Sequence, residues 1–383
     1  MSEQRVIRVA IAGQGRSGYK IHAHWLKQDP ARFRIVAVAD QLPERRRDAI
    51  GEFGARAFKD YRDMLRAGGF DLFVNALPTP LHVPGVLEAL RSGYDVVAEK
   101  PMAGTVRDFD RMTATARREG RLLAPFQNNR LQPFFLKMRE ILASGVLGDI
   151  LYIRSHWGGY ARRWDWQTFR RNMGGVLFNT GPHAIDQALA LFGDREEPKV
   201  FCKMMCHNSL EGDADDFCAL SLHGRHSPLI EILISQYQVY PQGEMYNVSG
   251  TLGGLTANWN EIRWKYYDPR QAPRPKMWRR WSVDRAYPSE TLPWVEESWS
   301  LDKEQARNVV GYTLKSLPTG VALFYANVHE AITQKAELLI RPAEVRRQIA
   351  VFEECFRQNP GPLKSKAGQR PPARGARQAK ARG

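Results

Sequence analysis

Residues Arg8 to His24 read RVAIAGQGRSGYKIHAH. A short apolar run, Val9 to Ala12, breaks at Gly13-Gln14-Gly15-Arg16-Ser17-Gly18, and a helical pattern follows. The three glycines have different tasks. Gly13 permits a tight strand-to-helix turn, Gly15 lets a pyrophosphate approach the backbone, and Gly18 lets the helix pack closely on the strand. Arg16 and Ser17 stand at the helix N-terminus, where unpaired N–H groups favour an anion. A glycine-rich turn alone is weak evidence. Here it has a strand before it, a helix after it, and an acid, Asp40, 22 positions beyond Gly18 at the end of FRIVAVAD. A carboxylate at that place accepts the hydroxyls of an adenosine ribose.

Working outward, the chain to about Arg121 alternates between two periods. Strands are predicted at Val6–Ala12, Phe33–Ala39, Asp71–Ala76, Asp95–Ala98 and Leu122–Pro125, several of them continuous apolar runs. Helices are predicted at Tyr19–Lys27, Glu44–Phe53, Tyr61–Ala67, Val83–Arg91 and Val106–Glu119. Right-handed crossovers of this kind give a doubly wound parallel sheet with its ligand cleft at the strand C-termini. Leu77-Pro78-Thr79-Pro80-Leu81-His82, Glu99-Lys100-Pro101 and Gln127-Asn128-Asn129-Arg130 all fall at such termini. Thr79 and His82 offer polar groups there, although a plain turn with a helix cap is the reading these residues favour on their own. Lys100, between an acid and a proline, could hydrogen-bond a substrate hydroxyl or relay a proton; a surface salt bridge is the plain alternative.

After Arg130 the pattern changes. A helix is predicted at Pro133–Ser144 and a strand at Leu147–Trp157. Trp157, Tyr160, Trp164, Trp166 and Phe169 then crowd together beside Arg162, Arg163, Arg170 and Arg171. Aromatic faces and guanidinium forks suit a polyhydroxylated ring, and equally an interface. Asn179, His183 and Asp186 open an apolar helix; a histidine beside a cleft can serve as a base or can cap the helix. Alternating segments follow at Val200–His207, Phe217–His223, Leu229–Val239, Glu244–Ser249, Leu255–Asn258 and Glu261–Tyr267, the pattern of a mostly antiparallel sheet. Tyr266–Asp302 is a Pro-, Trp- and Arg-rich excursion, and helices are predicted at Glu304–Gln334 and Pro342–Arg357.

The 383 residues suit two domains, and the composition, 43% apolar and 25% charged, is that of a soluble globular chain. No apolar run is long enough to span a bilayer and no secretory leader is visible, so a cytoplasmic location without membrane association is expected. The four cysteines, Cys202, Cys206, Cys218 and Cys355, lack metal-ligand spacing and read as reduced, mostly buried thiols; no metal is expected. Of the formal net charge of +15, seven positives lie in residues 364–383, which carry no acid and no apolar periodicity. Residues 361–383 therefore read as a basic disordered tail. No aromatic residues are interleaved with its charges, which argues against specific nucleic-acid recognition.

Together these motifs resemble the Gfo/Idh/MocA oxidoreductases. The resemblance rests on the glycine fingerprint, PTPLH at Pro78–His82, EKP at Glu99–Pro101, NNRLQP at Asn128–Pro133, GGVLFNTGPHAID at Gly174–Asp186 and YNVSGTLGGL at Tyr246–Leu255. It implies an α/β Rossmann domain over residues 1–128 and an α+β domain over 129–360, built on a large open, mostly antiparallel sheet. The last helix is expected to pack back on the first domain, and the sheet to form a homodimer or homotetramer. Carried over, Lys100 contacts both cofactor and reacting hydroxyl, His183 is the acid/base, and Asn128 lies near the nicotinamide. Gly13, Gly15, Arg16, Ser17, Gly18, Asp40, Leu77, Pro78, Thr79, His82 and Glu99 complete the expected cofactor site. Arg130, Tyr160, Arg163, Trp164, Trp166 and Asn179 are expected at the substrate. The family's usual Asp four residues before the histidine is Asn179 here, and an amide takes no proton. Asp40 favours NAD over NADP; Arg45 and Arg46 argue the other way. The expected activity is hydride transfer between a sugar, glycoside or cyclitol hydroxyl and NAD. Two other readings stay open: redox-assisted glycoside cleavage on the same fold, and a non-catalytic NAD-binding regulator.

Overall fold

The computed structural model describes residues 5–207, 211–240, 243–281, 285–301 and 320–363. The part of the predicted helix Glu304–Gln334 before Gly320, and the tail from 364 onward, lie outside them.

Six strands form a wholly parallel sheet: β1 (Ile7–Ala12), β2 (Phe33–Ala39), β3 (Arg56–Phe58), β4 (Leu72–Asn75), β5 (Asp95–Ala98) and β6 (Leu123–Pro125), in the order β3-β2-β1-β4-β5-β6. The order reverses between β1 and its two neighbours, which places the crevice beyond their C-terminal ends, where the glycine turn and Leu77 lie. The apolar runs are explained by burial on both faces: Val9, Ile11, Val74, Val96 and Val97 have no exposure at all. β3 escapes prediction because three residues at a sheet edge carry no readable period. The helix expected at Tyr19–Lys27 begins earlier, as a π-helical turn over Gly18–Ala23, and becomes α-helical only at His24–Leu26.

The second sheet has eight strands: β7 (Ile150–Gly158), β8 (Lys199–Met205), β9 (Phe217–His223), β10 (Leu229–Ser235), β11 (Tyr246–Gly250), β12 (Gly253–Ala257), β13 (Glu261–Tyr266) and β14 (Val295–Ser300). Their order is β14-β13-β12-β11-β7-β10-β9-β8, antiparallel throughout except for β7 beside β10. β10 stops at Ser235, short of the predicted Val239, and the excursion after Tyr266 returns as the edge strand β14.

Two helices bind the two halves. Gly320–Gln334 lies on the first sheet, with Tyr325 packed edge-on against Phe33, and His329 Nε2 lies 2.9 Å from the Arg5 carbonyl. Pro342–Gln358 touches both halves: Arg346 pairs with Asp110 at 2.7 Å and Glu353 accepts the Val106 N–H, both on the helix Val106–Arg118 of the first half, and Gln358 donates to the Val200 carbonyl of β8. The four cysteines are buried free thiols. Among the described residues no helix is long and apolar enough to cross a membrane.

Candidate active site

The glycine turn is built as its residues require. Gly13 has φ +91°, and a Cβ there would stand 2.3 Å from the Ala76 carbonyl oxygen. A Cβ on Gly18 would stand 1.7 Å from the Gly13 carbonyl oxygen. Gly15 differs: its Cβ would face open space, with only the Arg45 guanidinium 3.9 Å away. That is a cradle into which a pyrophosphate fits. Gly18→Ala is therefore expected to cost about 1–3 kcal/mol of stability, as overpacking does. Gly15→Ala should keep the fold and weaken dinucleotide binding. Thermal melting and calorimetric NAD titration of the two variants separate these outcomes.

Asp40 sits at the end of β2 beside the turn. Its Oδ2 accepts the Gln14 N–H at 2.8 Å and lies 3.3 Å from Arg45 Nη1, while Oδ1 accepts the Leu42 N–H at 2.9 Å. Oδ1 keeps a lone pair for a ribose hydroxyl. Arg46 spends Nη1 on the backbone carbonyls of Asp40 and Gln41. The site thus has the parts an adenine dinucleotide needs: a glycine cradle, a helix start and a ribose-binding carboxylate.

On the far side of β1, Asn75 shapes the loop after β4. Its Nδ2 donates to the His82 carbonyl at 2.9 Å and its Oδ1 accepts the Leu77 N–H at 3.3 Å, which sets the course of Leu77, Pro78 and the buried Thr79. His82 does not present its ring to the cleft. It is buried, with Nδ1 2.7 Å from the Pro101 carbonyl and Nε2 2.8 Å from the Leu77 carbonyl. It braces one cleft loop against the other, which corrects its expected place at the cofactor.

Glu99 and Lys100 follow β5, with a cis peptide at Lys100–Pro101. They are not a surface salt bridge: Glu99 is only 4% exposed. Burial pushes its carboxyl up, but contact with His22 and the charges of Lys100 and His82 outweigh burial and take it down to about 2. Lys100 donates from Nζ to the Asn179 carbonyl at 2.8 Å, so the first half of the chain closes on the second here. Burial lowers the Lys100 pKa, Glu99 opposes that, and Arg16 and Arg163 reinforce it.

Asn179 ends the short helix Val176–Asn179, and His183 lies one turn later in Gly181–Phe192. The Asn179 amide donates to Gln167 Oε1 at 3.3 Å, and Arg163 donates to the same oxygen at 2.5 Å. Gln167, which nothing in the sequence singles out, thus joins two expected site residues. His183 is held neutral: burial, then the charge of Lys100, lower its pKa to about 3, with Arg16 adding to them and Glu99 opposing. Its Nδ1 is buried and has no hydrogen-bond partner among the described residues. Arg16 is exposed on the turn, and its charge reaches both Lys100 and His183.

The other expected residues divide. Trp164, Tyr160 and Trp166 are 77%, 58% and 44% exposed on the segment that carries Arg163. The Asn128 carbonyl lies against Gly320, where a Cβ would come within 2.2 Å. Arg130 is turned inward and fully engaged: Asp186 takes Nε at 2.8 Å and Nη2 at 2.5 Å, and Glu344 lies 2.8 Å from Nη1. It therefore braces the helix of His183 and is not free for a substrate.

Comparison with known proteins bears on the family and the fold. The profile described as "Oxidoreductase family, NAD-binding Rossmann fold" matches residues 7–126, and the "GFO/IDH/MocA C-terminal domain" matches residues 135–256. An uncharacterized oxidoreductase of Schizosaccharomyces pombe is 25% identical, over 92% of this chain and 96% of its own. The D-glucoside 3-dehydrogenase of Escherichia coli is 30% identical, over 49% of this chain and 54% of its own. Among solved structures, the WlbA dehydrogenase of Bordetella pertussis, in complex with NADH and UDP-GlcNAcA, superposes with a TM-score of 0.74. It covers 94% of this chain and 96% of its own at 23% identity, a likeness of fold.

Proposed function

The chain belongs to the GFO/IDH/MocA family of NAD-binding oxidoreductases, and from that membership we propose that it moves a hydride between a secondary ring hydroxyl and NAD. The substrate is a sugar, glycoside or cyclitol. One observation carries this reading: a half-buried, neutral histidine whose buried Nδ1 has no hydrogen-bond partner among the described residues stands within the charge field of a half-buried lysine, at the mouth of a dinucleotide crevice. When bound, the nicotinamide supplies the hydride acceptor. The chain does the rest. Lys100, with one N–H spent on the Asn179 carbonyl, has two left to hold the substrate oxygen and stabilise the developing alkoxide. His183, unprotonated, takes the hydroxyl proton. Asn179, itself held by Gln167, orients the oxygen and takes no proton. The dinucleotide-binding part ends near Asn128 and residues 129–360 carry the substrate contacts.

Asp40 supports NAD over NADP, since a 2′-phosphate would stand against its carboxylate; Arg45 already pairs with that carboxylate and Arg46 with the backbone. The exposed Trp164, Trp166 and Tyr160, with Arg163, support a bulky glycoside, for they offer stacking faces beyond the reacting hydroxyl. Similarity to a D-glucoside dehydrogenase points the same way. Phe201 and Leu229, exposed on the outer face of the second sheet, support a homodimer or homotetramer formed through that face. The test is NADH absorbance over a panel of sugars, glycosides and cyclitols. Turnover of aryl glucosides above methyl glucoside and anhydro sugars is expected. The reverse order overturns the glycoside, and no NADH formation with any polyol by NAD-loaded protein overturns the dehydrogenase.

A further inference from the structure

Behind Lys100 lies a chain of polar groups that sheet packing does not require. His22, in the π-helical turn, and Tyr325, in Gly320–Gln334, are fully buried, and Glu99 is nearly so. The Tyr325 hydroxyl lies 2.6 Å from His22 Nδ1, His22 Nε2 lies 3.3 Å from Glu99 Oε1, and Glu99 Oε2 accepts the backbone N–H of Lys100 at 3.0 Å. Three segments thus bring buried polar side chains into one row ending on the Glu99 carboxylate, a cost that their interactions with one another must offset. The direction of the hydrogen bond follows from chemistry. A carboxylate 3.3 Å from Nε2 favours the ring hydrogen on that nitrogen, which leaves Nδ1 of the neutral ring to accept from the Tyr325 hydroxyl. The Nε2 hydrogen then lies beside Glu99, 3.3 Å from Oε1 but outside hydrogen-bond alignment, so the ring acts on the carboxylate by proximity.

The consequence falls on Lys100. The charged and titratable groups facing it are Glu99, Arg16, Arg163 and His183; those facing Glu99 are His22, His82, Lys100 and Tyr325. Burial, Arg16 and Arg163 all favour loss of the ammonium proton, and Glu99 resists it. We propose that Tyr325 and His22 are positioning residues: they hold Glu99 as an ionised, oriented carboxylate, and this carboxylate keeps Lys100 a cation at the substrate hydroxyl. The catalytic part of this statement rests on the function proposed above; the electrostatic part does not.

The experiment reads Lys100 directly. Trace acetylation of the full-length protein with acetic anhydride across a pH series, quantified on the Lys100 peptide by mass spectrometry, gives the pH at which the amine becomes free. Glu99→Gln is expected to move that midpoint down. Tyr325→Phe should move it in the same direction by less, raising Lys100 acetylation near pH 8 several-fold. The double variant should match Glu99→Gln alone, because Tyr325 acts only through the carboxylate. In NAD-dependent turnover the alkaline limb of kcat should shift with the midpoint while KM for NAD stays constant. An unmoved midpoint in Tyr325→Phe overturns the proposal, as does a shift that adds fully to that of Glu99→Gln. Should Glu99→Gln fail to fold, Tyr325→Phe and His22→Gln carry the same test. A midpoint that moves as expected in a protein that oxidises no polyol leaves the network standing and removes the dehydrogenase.

Discussion

Lys100→Met is expected to lower kcat/KM for the active polyol by about a hundred- to ten-thousand-fold, the range of a positioned proton-handling group, while calorimetric affinity for NAD should change little. The asymmetry follows from geometry. The Lys100 ammonium is held by the Asn179 carbonyl at 2.8 Å, at the junction of the two halves. The glycine cradle and Asp40 lie on β1 and β2 and do not depend on it. Methionine is unbranched and one atom shorter, so it keeps most of the side chain while losing the charge and the donors. His183→Gln should cost a comparable factor, with an instructive pH profile. A free histidine titrates near pH 6.5, but His183 is held at about 3, so it is unprotonated throughout the working range. No acid limb near pH 6.5 is therefore expected in the wild type. The proposed mechanism assigns the alkaline limb to Lys100, whose ammonium is lost at lower pH than that of an ordinary lysine, chiefly through burial. His183→Gln should lower the whole profile without moving that limb. An acid limb near 6.5 that vanishes in His183→Gln would contradict this assignment, and so would a Lys100→Met enzyme with near-normal turnover.

Much of this site was legible in the chain because its parts are local. A strand, a glycine turn and a helix occupy consecutive residues, and the steric need for Gly13 and Gly18 lies within that unit, apart from the Ala76 carbonyl. Glu99 and Lys100 stand out because they end an apolar strand. Pairings across long separations are another matter. His22 and Tyr325 are 303 positions apart, Gln127 and Gln348 are 221 apart, and neither pair has a period or a motif. Gln167 sits among more conspicuous tryptophans and arginines. The parallel neighbours β7 and β10 could not be told from antiparallel ones, since period-two alternation is the same in both. His82 and Arg130 were misplaced for one shared reason. Position at a strand C-terminus says that a residue is near the cleft, but not which way its side chain turns.

Arg130 makes that lesson measurable. Arg130→Met is expected to destabilise the protein by about 3–5 kcal/mol, the cost of removing one partner from a buried ion pair. Asp186 and Glu344 both converge on the guanidinium, and their charges outweigh burial and hold it protonated. Asp186 is as buried as its partner, and burial already raises its carboxyl above the usual range while Arg130 opposes the shift. Without the guanidinium, Asp186 must take up a proton or remain an uncompensated charge in the helix that carries His183. Glu344 is partly exposed and can turn to water. The added change Asp186→Leu should therefore recover most of the loss, since an apolar pair of similar volume often replaces a buried ion pair without cost. Arg130→Lys should fall between, because a point charge cannot reproduce the two-pronged contact. Urea denaturation of the four proteins gives these differences. Steady-state kinetics well below the melting range separates the brace from a substrate contact. A brace leaves KM for the polyol nearly unchanged in the double variant, whereas a substrate contact would raise KM in both variants and leave stability untouched.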